Sequence, residues 1–214
     1  MWSRQQDGRT FADEARRTQI VQCAIDLIAE SGYPQTSLAK IAERAAIAKS
    51  ALLYHFTNKD EIVAAVVQAV FSASAAVIIP AVTAASNPTG QLAAYIDANG
   101  EFLTANRAGA VALFEISISY RNADGLRFDQ VVARSVNDHG VPPEFALLDP
   151  QAIIERGIRT GEFTTEFEAA HLKDALRASL DGAVSNLARD PDYLVDEYIS
   201  TVRDVFLQAL GVQS

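Results

Sequence analysis

The chain has 214 residues, of which 49% are hydrophobic, so it can bury a substantial core as one large or two small domains. Its net charge is −9, but residues 1–60 hold eight Lys and Arg against seven Asp and Glu, whereas residues 61–214 hold ten against twenty. The nearly neutral amino-terminal part can meet phosphates, while repulsion would hold the acidic remainder away from them.

Several classes of protein are disfavoured by the same residues. We find no apolar segment of 18 residues, which predicts that no helix crosses a membrane, and the first residues lack the apolar core of a secretory signal. The single cysteine, Cys23, lies in an apolar helical pattern and is interpreted as a small buried side chain. His139 and His171 have no companions at metal or triad spacing, so we predict neither enzyme, cofactor nor metal.

The first predicted elements are an arm and a bracing helix. Residues 1–12 carry Arg4 and Arg9 and could reach DNA or remain a disordered tail. Helix 1 is predicted from about Asp13 to Ser31, and Gly32 ends it. Its inward side chains are expected to be those of Ile20, Ala24, Leu27 and Ile28.

Residues 36–59, TSLAKIAERAAIAKSALLYHFTNK, indicate two short helices joined by a turn of three or four residues. Thr36 is the predicted N-cap, because its hydroxyl can accept an unpaired amide proton of the first turn. Ala42 supplies the small residue that two steeply crossed helices need. A helix-turn-helix of this kind places its second helix in the DNA major groove, although the spacing alone fits an ordinary αα-hairpin equally well.

The remaining elements also read as helices. A long helix is predicted from near Asn58 to near Pro80. Further helices are predicted at about 90–106, 108–121, 126–138 and 150–160, and two long helices with apolar faces close the chain. Residues 114–120 alternate like a strand, but we interpret them as helix because no partner strand exists elsewhere.

The run GYPQTSLAKIAERAAIAKSALLYHFTNKDEI resembles the DNA-binding region of the tetracycline-repressor (TetR) family of bacterial transcriptional regulators. The family pattern runs roughly G-Y/F-x-x-T-S/T, a hydrophobic residue, x-x-I-A-x-x-A-G-V-S and then L-Y-x-H-F-x-x-K. A dozen positions match without a gap, which makes the resemblance specific. They are Gly32, Tyr33, Thr36, Ser37, Ile41, Ala42, Ala45, Leu52, Tyr54, His55, Phe56 and Lys59.

Three positions depart from the family pattern. Ala46 stands where the family usually has glycine, so the turn is predicted to hold a left-handed alanine at a cost of roughly 1 kcal/mol. Ala48 replaces the common serine, so the second helix loses a side-chain N-cap worth about 1 kcal/mol. Leu53 replaces the first aromatic residue, which puts one familiar phosphate contact in doubt.

The resemblance implies an all-α fold of about nine helices in two domains. The helix-turn-helix domain, with three helices, would occupy residues 1–57, and a helical domain that binds a ligand and dimerises would occupy residues 58–214. The implied function is that of a cytoplasmic repressor, which binds a palindromic operator as a homodimer and is released by a small-molecule inducer. No membrane partner is expected.

Eight DNA-contacting residues follow from the resemblance, namely Thr36, Ser37, Lys49, Ser50, Ala51, Tyr54, His55 and Lys59. The first two are expected to hold a phosphate through a hydroxyl and the amides of helix 2. The next three begin the recognition helix and face base edges, and the last three hold the DNA backbone. For Tyr54 and His55 the alternative is packing against helix 1.

The two closing helices form the predicted dimer interface, because small residues on the first of them permit close approach of a second copy. The residues assigned to it are Leu176, Ala183, Leu187, Leu194, Tyr198, Val202 and Phe206. These apolar stripes could instead be buried within their own subunit.

A ligand pocket between helices 4 and 8 is implied by the resemblance. Its candidate lining is Phe71, Tyr95, Phe102, Phe114, Glu115, Ile118 and Tyr120, although aromatic residues at helical spacing can equally be core. Glu115 lies among apolar neighbours, so it would need a partner if buried: a cationic ligand or an internal arginine. A surface position is the third possibility.

Two other functions remain open from the sequence. One is an activator or a ligand-independent regulator on the same fold. The other is a helical ligand-binding or enzymatic protein with a vestigial helix-turn-helix, which the neutral charge of residues 1–60 and the three departures keep open.

Overall fold

The computed structural model describes residues 10–140, 148–190 and 192–212, so Arg4, Arg9 and most of the predicted arm lie outside the described residues. In the described part the chain forms ten α-helices, not about nine, and a short 3-10 helix at Tyr33–Gln35. The predicted all-α fold is confirmed. The helices are α1 Phe11–Ser31, α2 Leu38–Arg44, α3 Lys49–His55, α4 Lys59–Ala84, α5 Pro88–Ala105, α6 Arg107–Ser119, α7 Phe128–His139, α8 Gln151–Thr160, α9 Ala169–Arg189 and α10 Val195–Ala209.

The chain packs into two compact units that do not follow chain order. The first contains the described residues up to Val70 together with Ala108–Gly140, and the second contains Phe71–Arg107 and the described residues from 148 onward. The division falls inside α4 and next to the first residue of α6. The domain boundary predicted after residue 57 stays a prediction.

The first unit is built around the inward face of α1. Its four predicted core side chains, Ile20, Ala24, Leu27 and Ile28, are all buried. Leu52, Phe56 and Ile116, from α3, the residue after it and α6, are fully buried in the same unit. Cys23 is only half-buried, and burial followed by the nearby Asp26 raises the pKa of its thiol. Its predicted place inside the core is therefore wrong.

Helix α4 corrects two sequence predictions. It continues past Pro80 to Ala84, because Pro80 is exposed and the carbonyl four residues earlier, on exposed Ala76, can be solvated. Residues 62–84 carry no charged side chain, so by length and composition this helix could cross a membrane, and the prediction of no such stretch is wrong. About a third of its most apolar stretch is buried within the fold.

The second unit is a bundle of α5, α8, α9 and α10. Gly100 brings α5 close to α10, since a Cβ there would lie 2.9 Å from a side-chain carbon of Ile199. Gly157 of α8 admits the buried ring of Phe163, which would overlap with any Cβ at that position. The buried Tyr95 of α5 donates its hydroxyl to the carbonyl of Leu148 at 3.1 Å. Gly100 thus lets α5 approach α10 closely, and Gly157 makes room for the ring that follows α8.

The strand-like run at residues 114–120 is helical as far as Ser119, which confirms the helix prediction. A turn follows it, in which the amide of Gly125 donates to the carbonyl of Asn122 at 2.9 Å. The side chain of Asn122 also accepts from the amides of Asp124 and Leu126. Local hydrogen bonding therefore reverses the chain between α6 and α7.

Candidate nucleic-acid interface

Helices α2 and α3 form the predicted two-helix motif around a four-residue turn. Ala42 and Ala45 of this motif are buried, as expected of small residues between two closely packed helices. The turn is closed by the amide of Ala46, which donates to Glu43 at 3.0 Å, and by that of Ile47, which donates to Ala42 at 3.0 Å. A backbone reversal of this kind requires a left-handed residue.

Ala46 is that residue. Its φ is 53°, and it is the only non-glycine residue with positive φ in the described part of the chain, as its place in the family pattern predicts. Ala46→Gly should raise the free energy of unfolding by about 0.5–1 kcal/mol, because it relieves the contact between Cβ and backbone at some entropic cost. Urea denaturation measures this change. The matched comparison is Ala51→Gly, at an exposed position inside α3, where glycine should instead destabilise the fold.

The cap of α2 is Ser37, not Thr36. The Ser37 hydroxyl accepts from the amide of Lys40 at 3.3 Å, while the Thr36 hydroxyl donates to the carbonyl of Gly32 at 3.1 Å. Thr36 is only 3% exposed. The predicted N-cap was therefore one residue too early, and the Thr36 hydroxyl is committed inside the domain. Ser37, which is exposed at the start of α2, remains a candidate phosphate contact.

Helix α3 buries one side and exposes the other. Leu52 and Phe56 are fully buried, whereas Lys49, Ser50 and Ala51 are exposed at its start. The N-cap residue, Ala48, makes no side-chain hydrogen bond, as predicted. The accessible face of this helix therefore carries the three residues assigned to base edges.

Tyr54 and His55 are placed differently from one another. The Tyr54 side chain is 76% exposed, so it does not pack against α1. His55 is half-buried, its ring lies edge-on to that of Tyr54 at 5.1 Å, and its carbonyl accepts from the Arg17 guanidinium. Leu53, which replaces the family's aromatic residue, is 40% exposed and has no polar atom to offer a phosphate.

Lys59 is turned inward, and its predicted contact with the DNA backbone stays a prediction. Its Nζ donates to the carbonyl of Tyr33 at 3.0 Å and lies 3.7 Å from the centroid of the Tyr33 ring. Burial lowers the pKa of this ammonium, against the opposing effect of Asp60. Lys59 therefore fastens the start of α4 to the 3-10 helix.

Other cations near the motif are also engaged within the domain. Arg44 of α2 is bonded to Glu30 of α1 through both guanidinium nitrogens, and the Lys40 ammonium donates to the carbonyl of Gln35 at 2.8 Å. For Lys49, by contrast, no hydrogen bond or ion pair is found among the described residues. Its ammonium is thus available at the start of the exposed face of α3.

A cluster of aromatic and charged groups links the 3-10 helix, α4 and the end of α6. The buried rings of Tyr33 and Tyr120 meet edge to face at 5.7 Å. Burial, together with the charge of Asp60 and its hydrogen bond, raises the pKa of Tyr120 to about 12. The neutral hydroxyl is therefore the form that the folded unit favours.

This cluster predicts a loss of stability at alkaline pH. The folded protein binds the Tyr120 proton more tightly than the unfolded chain does. The neutral hydroxyl therefore contributes fully to the free energy of unfolding below the usual tyrosine pKa of about 10, and this contribution declines as pH rises. It is lost as pH passes through about 12. In Tyr120→Phe the alkaline fall in thermal unfolding temperature should be smaller, and in Tyr54→Phe, which removes an exposed hydroxyl, it should match that of the unaltered chain. An equal fall in all three proteins would contradict the assignment.

The predicted dimer residues are mostly core. Five of the seven are buried within the second unit: Leu176, Ala183, Leu187, Val202 and Phe206. They pack between α9 and its neighbours, because an apolar stripe is covered first by its own subunit. Leu194 is 63% exposed, and Tyr198 is half-buried with its hydroxyl donated to the carbonyl of Ser179 at 3.1 Å. The outer faces of α9 and α10 instead expose Ala175, Ala178 and Val205.

The predicted ligand residues are divided between the units. Phe71, Tyr95 and Phe102 belong to the second unit, and Phe114, Glu115, Ile118 and Tyr120 belong to the first. Tyr95 is fully buried and its hydroxyl accepts from Arg177 at 3.0 Å, so its polar end is satisfied internally. The predicted pocket stays a prediction.

Two of the candidate ligand residues, Glu115 and Ile118, lie on α6 and differ in how far they are exposed. Glu115 is half-buried, with one carboxylate oxygen 3.3 Å from where a Cβ on Gly32 would stand. No ion pair of Glu115 is found among the described residues. Ile118 is 52% exposed, so it is a surface side chain of its unit.

Histidine and acidic side chains give no metal site in the described part of the chain, where no group of three or more potential ligands comes together. His171 is exposed, and the side chain of His139 lies outside the described residues.

Comparison with known proteins agrees with this geometry. Residues 20–66 match the family model of bacterial regulatory proteins, tetR family. The fatty acid metabolism regulator protein of Bacillus subtilis (strain 168) is 41% identical over 44 residues, a match that spans 21% of this chain and 23% of that relative.

Two solved structures show the same fold over nearly the whole chain. The fatty acid degradation regulator FadR from Bacillus halodurans has a TM-score of 0.70 and 21% identity, covering 91% of this chain and 96% of that one. NalD, the secondary repressor of the MexAB-OprM multidrug efflux pump in Pseudomonas aeruginosa, has a TM-score of 0.67 and 20% identity, covering 94% and 98%. Residues 20–66 are thereby identified as a DNA-binding region of the tetR family, and the chain as a whole shares the fold of these regulators.

Proposed function

We propose that this chain is a ligand-responsive transcriptional repressor that binds a palindromic operator as a homodimer and leaves it when a small molecule binds. The observation that carries the proposal is the exposed face of α3, with Lys49, Ser50 and Ala51 at its start and Tyr54 at its end. A helix presented in this way fits the major groove, which admits a single α-helix.

The chemistry of that face suits base and phosphate contacts. The Lys49 ammonium can donate to O6 and N7 of guanine, and the methyl group of Ala51 can contact the methyl group of thymine. Ser50 can donate or accept. The Tyr54 hydroxyl is suited to a phosphate oxygen, which positions the helix without reading sequence. Ser37 adds a hydroxyl and the first amides of α2.

A homodimer follows from the small area that one such helix can read. Two copies related by a twofold axis would place their recognition helices in successive major grooves, roughly 34–36 Å apart. The outer faces of α9 and α10 support this pairing, because Ala175 and Ala178 permit close approach and Leu194 and Val205 offer apolar area. The buried residues of the same helices would serve as the supporting core.

Release by a ligand would be a shift between two populations. A molecule that binds more tightly to a conformer whose recognition helices do not match two half-sites lowers operator affinity by that difference. Helix α4 contributes residues to both units, so it provides a continuous path from the second unit to the helix-turn-helix. NalD is by name a repressor, which favours repression here.

Two similar proteins are regulators of fatty acid metabolism or degradation by name. The 41% identity extends over only 44 residues, so the choice of effectors to test rests on the two names and not on the matched residues. Because both names point to the same class of compound, fatty acids are the first effectors to test, alongside unrelated apolar molecules. We infer a regulator, acting in the cytoplasm, and not an enzyme.

Binding to DNA upstream of the protein's own gene tests the proposal. The purified protein is titrated into that DNA and into a scrambled duplex of equal length across a salt series. We expect tighter binding to the upstream DNA, with an affinity that falls steeply with salt because phosphate contacts release counterions. Equal affinity for both duplexes at every salt concentration would overturn it. Transcription of adjacent genes should rise on deletion of the gene, whereas an activator would show the opposite.

A further inference from the structure

The recognition helix, α3, is weakly stabilised by its own residues. Helix α3 has only seven residues, its N-cap Ala48 makes no side-chain hydrogen bond, and the preceding turn contains the left-handed Ala46. A helix of about two turns is unstable alone in water. Its direction must therefore be set by contacts from other elements.

Arg17 of α1 makes such a contact at the far end of α3. Its guanidinium donates to the carbonyl of His55, the last residue of the helix, and lies 3.9 Å from the centroid of the Phe56 ring. Phe56 is fully buried, so this ring is a fixed platform. A cation at a helix C-terminus and over an aromatic face is favourable in both respects.

The position of this contact decides which residues it can affect. His55 adjoins Tyr54 in the chain, and the centroids of the two rings lie 5.1 Å apart. Lys49 begins the same short helix, less than two turns away. A change in the angle of α3 at its C-terminal end would therefore move every side chain of its exposed face.

We propose that Arg17 is a positioning residue for operator recognition, which fixes the angle of α3 from α1 without contacting DNA itself. This inference rests on the proposed function. Two other roles are chemically reasonable for an arginine here: a direct phosphate contact, and simple stabilisation of α3. Each makes a different prediction, so one set of variants separates all three.

The variants are Arg17→Met, Ala48→Ser, the double variant and Arg16→Met. Methionine keeps an unbranched stem over Phe56 but removes the donors and the charge. Ala48→Ser adds the missing side-chain cap and stabilises α3 from its other end. Arg16→Met is the matched control, because Arg16 is the exposed neighbour on α1 and its guanidinium donates to Gln19 of the same helix at 2.6 Å.

Affinity for the upstream operator and for scrambled DNA is measured across a salt series, together with urea denaturation. For Arg17→Met we expect a loss of about 10- to 100-fold in operator affinity, the size of effect given by one charged hydrogen bond. Affinity for scrambled DNA and the salt slope should stay close to those of the unaltered protein. The double variant should recover stability but not operator affinity, and Arg16→Met should keep the ratio of operator to scrambled affinity.

Three results would overturn the proposal. A salt slope reduced by about 0.9 in Arg17→Met would indicate that Arg17 binds a phosphate directly. Recovery of operator affinity in the double variant would indicate that Arg17 only stabilises α3. Unchanged operator affinity in Arg17→Met would indicate no role in recognition. Failure of the unaltered protein to prefer the operator is a separate result, which rejects the proposed function instead.

Discussion

Replacing Lys49 with alanine is expected to weaken operator binding by roughly 5- to 150-fold, the loss of one good contact to a guanine edge, about 1–3 kcal/mol. The protein should remain folded, because Lys49 is exposed and no hydrogen bond or ion pair of its side chain is found in the described residues. A gel-shift titration with the upstream operator measures the loss, and circular dichroism verifies the fold.

Base contact and phosphate contact differ in their consequences at Lys49. If the ammonium reads a base, the variant should lose its preference at one base pair of each half-site while its affinity for scrambled DNA changes little. If the ammonium meets only a phosphate, affinity should fall equally for all DNA sequences. The slope of affinity against salt concentration should then decrease in magnitude by about 1. Lys173→Ala is the control, since this lysine pairs with Asp174 at 3.4 Å on α9.

Tyr54→Ala should also weaken operator binding, and Tyr54→Phe should reproduce the part of the loss that belongs to the hydroxyl. The exposure of 76% means that neither change removes core packing. Undiminished affinity in both Lys49→Ala and Tyr54→Ala would contradict the assignment of α3 as the reading helix.

Ala178→Arg is expected to separate the homodimer and to lower operator affinity by roughly 100- to 10,000-fold, because two linked half-site contacts become one. Ala178 is exposed on α9, so the arginine has room within its own chain. In a second copy packed against the same face it would meet an identical charge. Analytical ultracentrifugation gives the mass in solution, and gel-shift titration gives the affinity.

Ala123→Arg is the matched control for this change. Ala123 is exposed in the turn between α6 and α7, so the same substitution there should leave both mass and affinity unaltered. If Ala178→Arg remained dimeric with full affinity, the outer face of α9 would not be the interface. If the unaltered protein were monomeric, a palindromic operator would lose its physical basis.

Interactions between near neighbours were predictable from the sequence. The amphipathic repeat of α1 predicts its four buried residues, and the helical assignment of residues 114–120 is confirmed as far as Ser119. The left-handed conformation of Ala46 and the uncapped start of α3 follow from residue types at two positions of a known motif. Each of these features depends on backbone geometry within a few residues.

The sequence did not predict contacts that depend on long side chains or on competing partners. Lys59 has four methylene groups and finds the carbonyl and ring of Tyr33, 26 residues earlier, instead of solvent. Thr36 and Ser37 are adjacent hydroxyls, and the backbone conformation before α2 decides which of them caps it. Nothing in the local pattern distinguishes these choices.

The sequence by itself determined the helical fold and the tetR-type DNA-binding region with its two short helices, because periodicity and turn chemistry act over short distances. Only the tertiary structure decided which surface each apolar stripe covers. The five buried residues assigned to a dimer show the reason, since a stripe is apolar whether its own subunit or a second copy packs on it. The hold of Arg17 on α3, across 38 residues of chain, likewise exists only after folding.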